Sequence, residues 1–189
     1  WLSYHVSVPD TIVNAATLVR AGAQAVKLEG GRARVGMIEA LVAAEIPVMG
    51  HLGLTPQSVN AMGGYKVQAK AAAAADALLD DAKAITAAGV FAMVLEGVPD
   101  VVAARVSAEV DVPTIGIGAG AGCDGQVLVF HDLLGLGEGP VPKFVRRYAD
   151  LASAAVEAVA AWAADVRGGA FPSDAETYHL PHEPGPGGP

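Results

Sequence analysis

The stretch Phe91-Ala92-Met93-Val94-Leu95-Glu96-Gly97-Val98-Pro99 constrains this chain more than any other. It is apolar at every position before Glu96, so it lacks the alternation of a strand with one wet face. It therefore predicts a parallel strand covered on both sides. The run stops on a carboxylate and then on a glycine, and Pro99 stands at the expected first turn of a helix. A carboxylate at the carboxyl end of such a strand sits where α/β barrels and open α/β sheets carry their chemistry. Burial there raises a carboxyl pKa and makes it a usable proton acceptor near neutrality. Two structural roles stay open for Glu96 at this point, a cap on the next helix or a partner for a lysine at a neighbouring strand end.

Short runs of the same kind recur along the chain. Ala25-Val26-Lys27-Leu28-Glu29-Gly30-Gly31 reads as a strand whose Lys27 and Glu29, two apart, share one face; paired with each other they would be a plain ion pair. Val48-Met49-Gly50-His51-Leu52-Gly53 is a second, Thr114-Ile115-Gly116-Ile117-Gly118-Ala119-Gly120 a third running into a glycine loop, and Gln126-Val127-Leu128-Val129-Phe130 a fourth, followed by His131 and Asp132. The Gly116, Gly118, Gly120 spacing lacks the full dinucleotide fingerprint, so it predicts close backbone packing rather than a phosphate cradle. His131 and Asp132, adjacent on a strand, would face opposite sides and share no site.

Helical spacing fills the gaps. Ser7-Val8-Pro9-Asp10 is a capping-box-like start for a helix ending near Gly22, and Val35, Ile38, Leu41 and Val42 mark a second helix that Pro47 stops. An alanine-rich helix is expected over residues 70–88, another over 100–110 and a long one over 144–167. Residues 54–68 fit neither period; a connector this long and polar in a compact domain reads as functional. Residues 172–189, rich in Pro and Gly, predict a frayed tail after a domain over 1–171.

Composition removes several classes of partner. Lys+Arg of 12 against Asp+Glu of 20 gives a formal charge of −8, which disfavours nucleic acid and anionic membrane. The lone Cys123 leaves no internal disulfide, and no apolar stretch is long enough to span a bilayer. A soluble, cytoplasmic protein is the expectation.

Repeated βα units mean a parallel sheet. Because polar residues stand at every strand end rather than at one switch point, the order favours a barrel over an open sheet. A closed barrel of this type needs eight strands, and five are legible here. The complete gene is therefore expected to encode about 80 further residues before Trp1, carrying three more apolar strands.

Several motifs, in one order, resemble the ketopantoate hydroxymethyltransferase family. They are Val26-Lys27-Leu28-Glu29-Gly30-Gly31, Gly50-His51-Leu52-Gly53-Leu54-Thr55-Pro56-Gln57-Ser58-Val59-Asn60, Gly63-Gly64-Tyr65-Lys66-Val67-Gln68, Val94-Leu95-Glu96, Ile115-Gly116-Ile117-Gly118-Ala119-Gly120 and Asp124-Gly125-Gln126-Val127-Leu128-Val129. The resemblance runs up to Phe171-Pro172. It implies a (β/α)8 TIM-type barrel of the phosphoenolpyruvate/pyruvate-like superfamily. It also implies transfer of a hydroxymethyl group from 5,10-methylenetetrahydrofolate to 3-methyl-2-oxobutanoate, giving 2-dehydropantoate in pantothenate synthesis, with Mg2+ as Lewis acid and a homo-oligomer, a decamer, as the assembly. By that resemblance Glu96 is the catalytic proton acceptor, Lys27 and His51 bind substrate, and Glu29 belongs to the metal shell. Tyr65, Lys66 and Gln68 lie on a loop that helps close the site. Family members also carry an Asp-Ser pair and a second metal-binding Asp on segments ahead of the part matching Trp1.

Two other classes share these features. A different magnesium-dependent keto-acid lyase on the same barrel would turn over its substrate without folate. A non-catalytic assembly subunit would fold and oligomerise without magnesium-dependent ligand binding.

Overall fold

In a computed structural model of the chain, residues 1–137 and 139–180 are described. Residues 181–189 of the expected tail lie outside them. Four of the apolar runs become strands, a short fifth strand forms just ahead of the last run, and each strand pairs in parallel with the next in sequence, in the order β1-β2-β3-β4-β5. The strands are β1 (Val26–Glu29), β2 (Val48–Gly53), β3 (Ala92–Glu96), β4 (Thr114–Ile117) and β5 (Gly125–Gln126). Helices α1 (Val8–Arg20), α2 (Val35–Ala43), α4 (Ala72–Ala87) and α5 (Asp100–Glu109) alternate with them, and the short α3 (Val59–Met62) follows β2. Consecutive parallel staves with a helix in nearly every crossover make an arc of a TIM-type barrel.

Alternation along the strands sorts two faces. Leu28, Val48, Leu52, Met93 and Leu95 turn toward the helices and pack with Ile38, Leu41, Leu79, Ala82, Ile85, Ala103 and Val106 in one buried cluster. Burying each large aliphatic side chain there contributes about 1.5–3 kcal/mol. The helix layer is tied outside by Arg32 to Asp81 at 2.8 Å and by Arg105 to Asp76 at 2.7 Å, exposed pairs that fix geometry more than they add stability. Ser7 accepts from the Asp10 amide at 3.2 Å and starts α1 as its sequence predicts.

Four departures from the sequence expectations have local causes. The last strand ends at Gln126, not at Phe130, because β4 offers it only Ile115 and Gly116 as register partners before turning away at Gly118. Phe130 instead opens α6 (Phe130–Leu134), which puts His131 and Asp132 on a helix. The long helix α7 begins at Leu151 rather than Phe144 and runs to Gly168, because Asp150 caps it by accepting from the Ser153 amide and hydroxyl. The aperiodic segment 54–68 holds a 3₁₀ turn (Pro56–Ser58) and then α3. The glycine loop after β4 is a packing device as expected: a Cβ on Gly118 would meet the Phe144 ring and one on Gly120 would meet Asp100.

Two compact units emerge, residues 1–128 with 142–145, and residues 129–141 with 146–189. The second holds α6 and α7, with Trp162 edge-on to Phe171 at 6.3 Å between ring centroids. The sheet and every residue singled out for chemistry lie in the first.

One feature repeats at the strand ends. β1 to β4 each finish on, or are directly followed by, a glycine of positive φ: Gly30 at 118°, Gly53 at 89°, Gly97 at 57° and Gly118 at 60°. Such a turn drops the chain away and leaves the preceding side chain standing at the mouth. At Gly53 the need is also steric, since a Cβ would fall 2.2 Å from the Glu96 carbonyl oxygen. That same oxygen accepts from the Leu54 amide at 2.7 Å. Gly53→Ala is therefore expected to destabilise the protein by about 2–4 kcal/mol through strain and overpacking, read by urea unfolding. A loss below about 0.5 kcal/mol would show that the β2–β3 mouth yields freely.

Candidate active site

The face opposite the helices carries the polar residues. Register places Glu29 beside His51, His51 beside Val94, and Glu96 beside Gly53 and Ile117. Lys27, Glu29, Met49, His51, Ala92, Val94, Glu96, Ile115 and Ile117 thus share one side of the sheet. Its first two strands contribute the charges and its fourth contributes isoleucines, with Glu96 on the boundary between them.

His51 is the centre of the cluster, its side chain only 1% exposed. Nδ1 lies 3.5 Å from Glu29 Oε1, and Nε2 lies 3.2 Å from Glu96 Oε2. The second approach is short but poorly aligned, leaving Nε2 without a true hydrogen bond, so it acts as an ion contact. Burial alone would push the imidazole pKa down, but its contacts with the carboxylates of Glu29 and Glu96 outweigh burial, and the net shift is upward from 6.5. Burial alone would likewise raise Glu29; contact with His51, the Gln57 amide and the charges of His51 and Lys27 overcome it and hold that carboxyl below its ordinary 4.5. Gln57 donates its backbone N–H to Glu29 Oε2 at 2.9 Å.

All four residues singled out from the sequence are therefore brought together. Lys27 and Glu29 share a face as expected but are not partners: Lys27 Nζ sits 3.5 Å from His51 Nδ1 instead. Lys27 has no carboxylate partner among the described residues, which leaves its ammonium available to an outside anion. His51, with both nitrogens turned to protein groups, supports the two carboxylates. Glu96, with a side chain 15% exposed against 6% for Glu29, is the more accessible of the pair.

Two participants escaped the sequence. Tyr4 accepts from the Glu29 amide at 3.3 Å, and no motif around Tyr4 signals it. The Gln57 contact comes from a backbone amide, which any residue at that position could supply; only its place in the aperiodic segment after β2 hinted at a role. A cavity of about 150 Å³ between α1 and β1 is lined by Ser3, Tyr4, Asn14, Leu18, Lys27 and Gln57. It touches the cluster through Lys27 and Gln57 but not Glu96, so the convergence of titratable groups at the strand ends, rather than this hollow, defines the site.

The carboxylate–imidazole–carboxylate line is buried at the carboxyl ends of parallel strands, the position at which α/β barrels carry their chemistry. Residues 1–174 match the family model described as ketopantoate hydroxymethyltransferase, and the chain belongs to that family. It is 58% identical over 183 residues to 3-methyl-2-oxobutanoate hydroxymethyltransferase 2 of Bradyrhizobium diazoefficiens, covering 97% of this chain and 63% of that protein. It is 56% identical over 184 residues to the 3-methyl-2-oxobutanoate hydroxymethyltransferase of Koribacter versatilis, covering 97% and 62%. The chain thus spans less than two thirds of the length of these relatives. A crystal structure described as a lyase/mutase from Burkholderia cenocepacia J2315 aligns with TM-score 0.45 and 18% identity over 85% of this chain and 57% of its own, too loosely to bear on function. Among the described residues no helix is long and apolar enough to cross a membrane.

The cluster makes stability depend on pH in a definite way. His51, with its pKa raised in the fold, contributes fully below its ordinary 6.5 and loses that contribution as pH rises through the folded value. Glu29, with its pKa lowered, contributes fully above its ordinary 4.5 and loses it as pH falls through the folded value. The advantage of wild type over His51→Gln should therefore be greatest between pH 4.5 and 6.5 and shrink on both sides, measured by urea midpoints across pH. A difference flat from acid to alkaline pH would remove the charged bridge.

Proposed function

We propose that this chain takes part in hydroxymethyl transfer from 5,10-methylenetetrahydrofolate to 3-methyl-2-oxobutanoate, giving 2-dehydropantoate. The observation that carries the reading is the Glu29–His51–Glu96 line at the strand ends in a member of this family. Glu96 takes the proton from C3 of the keto acid, and the electron pair of the broken C–H bond moves toward the carbonyl oxygen. C3 then forms the new bond to the methylene carbon as its two C–N bonds to tetrahydrofolate break; water supplies the hydroxyl group, and its second proton and the one taken from C3 go to the two folate nitrogens. His51, 3.2 Å from Glu96, holds the base in place while its charge changes. Lys27 offers its unpaired ammonium to the substrate carboxylate, and the isoleucines of β4 suit the branched alkyl end. The polarity of the sheet thus orients the substrate across the strands, anion toward β1 and alkyl toward β4.

The donor chemistry is compatible with Mg2+. Glu29 is held ionised, and each carboxylate oxygen keeps a lone-pair direction beyond its His51 or Gln57 contact. Among the described residues no set of three or more His, Cys, Asp or Glu is arranged as a metal cage. A single protein carboxylate, joined by substrate oxygens and water, is within the habit of this ion. Bound there, it supplies Lewis-acid polarisation of the keto group.

Glu96→Gln keeps the shape and removes the base, so exchange of the C3 proton of 3-methyl-2-oxobutanoate with solvent deuterium should fall about 10²–10⁴-fold while binding persists. Exchange at the wild-type rate would reject the assignment. Lys27→Ala should weaken keto-acid binding by about 1.5–3 kcal/mol, the worth of one charged hydrogen bond, and leave folate binding less affected. Unchanged keto-acid affinity in calorimetry would assign Lys27 a structural role instead.

A further inference from the structure

We propose that Pro56 is a positioning residue: it stiffens the short link from Leu54 to Gln57 that ties the backbone of Glu96 to the carboxylate of Glu29. The Leu54 amide donates to the Glu96 carbonyl oxygen at 2.7 Å, and the Gln57 amide donates to Glu29 Oε2 at 2.9 Å. These acceptors belong to β3 and β1, with β2 between them, so the link leaves the end of β2 and joins its two neighbours. Among the described residues the Glu96 carboxylate is held only by the poorly aligned approach of His51 Nε2. Its placement therefore rests on its backbone, which the Leu54 amide grips. A link can pass position from one end to the other only if it is stiff. Thr55 is extended, at φ −115° and ψ 102°, and the proline after it disfavours the helical region. Pro56 locks its own φ and opens the 3₁₀ turn Pro56–Ser58, which the Ser58 amide closes on the Thr55 carbonyl at 2.8 Å. Leu54 and Thr55 are buried, and Leu54 packs on the Gly97 turn, where an added Cβ would lie 3.3 Å from its own. The Gln68 amide donates to the Gly97 carbonyl at 2.8 Å, so the far end of the segment returns to the same turn. Pro56 itself bonds neither carboxylate; what it supplies is the fixed distance between the groups that do.

The proposal rests on the proposed function in taking Glu96 as the base and Glu29 as the cation ligand, and the test separates the two. Pro56→Gly keeps both amide donors and frees the link between them. In the metal-free chain, amide hydrogen exchange should become at least about threefold faster at Leu54 as well as at Gln57, with the Gly30 amide, bonded to the His51 carbonyl, unchanged. A proline that only shapes its own turn would free Gln57 alone, so an unchanged Leu54 amide overturns the proposal. With Mg2+ and 3-methyl-2-oxobutanoate, kcat for C3 proton exchange per folded molecule should fall at least about tenfold while KM stays within about twofold, because base and substrate are both present but misaligned. A merely structural proline would lower the urea midpoint and leave that kcat at the wild-type value, and this result overturns the proposal. Pro56→Ala, less free in its backbone than glycine, should lose less kcat. Should Pro56→Gly not fold, Pro56→Ala decides against wild type by the same two readings. Leu54 and Gln57 amides that loosen together, in a chain whose wild type exchanges no C3 proton, would keep Pro56 as the spacer between the carboxylates and reject Glu96 as the base.

Discussion

The contact on which the site depends is the imidazole of His51 held between Glu29 and Glu96. Taking two carboxylates and a ring out of water is costly, and only their mutual charge and hydrogen bonding offset it. Removing one member leaves the others buried and uncompensated, at a cost of about 3–5 kcal/mol where burial is complete. Parallel register makes the line possible. Glu29 and His51 stand side by side on β1 and β2, and Glu96 stands one step further along β3, so each ring nitrogen has a carboxylate to face.

That arrangement gives two glutamates different surroundings. Glu29 is the more buried, receives a backbone N–H as well as the imidazole, and is held ionised. Such a group suits a cation. Glu96 ends its strand at a more open position, touched by His51 on one oxygen and flanked by an apolar strand. Such a position is open to a substrate at the mouth. Environment alone sets these two glutamates apart.

Much of this was legible from residue order. The unbroken run before Glu96 gave a covered strand, and the two-residue spacing of Lys27 and Glu29 gave a shared face, because both follow from the period of a strand. The partner of Glu29 was not legible. Sequence proximity suggested Lys27, whereas register supplied His51, 22 positions on, and register depends on how strands align in three dimensions. The strand expected at 126–130 failed for the same kind of reason: apolar alternation marks strand potential, but the ladder ends where its partner turns away at Gly118. Tyr4 was invisible because a lone tyrosine before a helix has no period and no spacing to read. The start of α7 was fixed by a cap rather than by composition, and apolar content alone carried the expected helix too far toward Phe144.

The left-handed glycines close the argument between fold and chemistry. A side chain at any of these four turns would pay backbone strain, and at Gly53 it would collide with the strand that carries Glu96. Their effect is to end each stave abruptly, so that the last inward side chain before the turn is presented at the mouth rather than buried under the next loop. On β1 that side chain is Glu29, on β3 it is Glu96 and on β4 it is Ile117. On β2 the glycine is itself the last residue, so the last inward side chain is that of His51, two positions earlier. That difference sets His51 level with Glu29 and one inward position short of Glu96, so each ring nitrogen has a carboxylate to face. The chemistry of the mouth is thus set by where each strand stops.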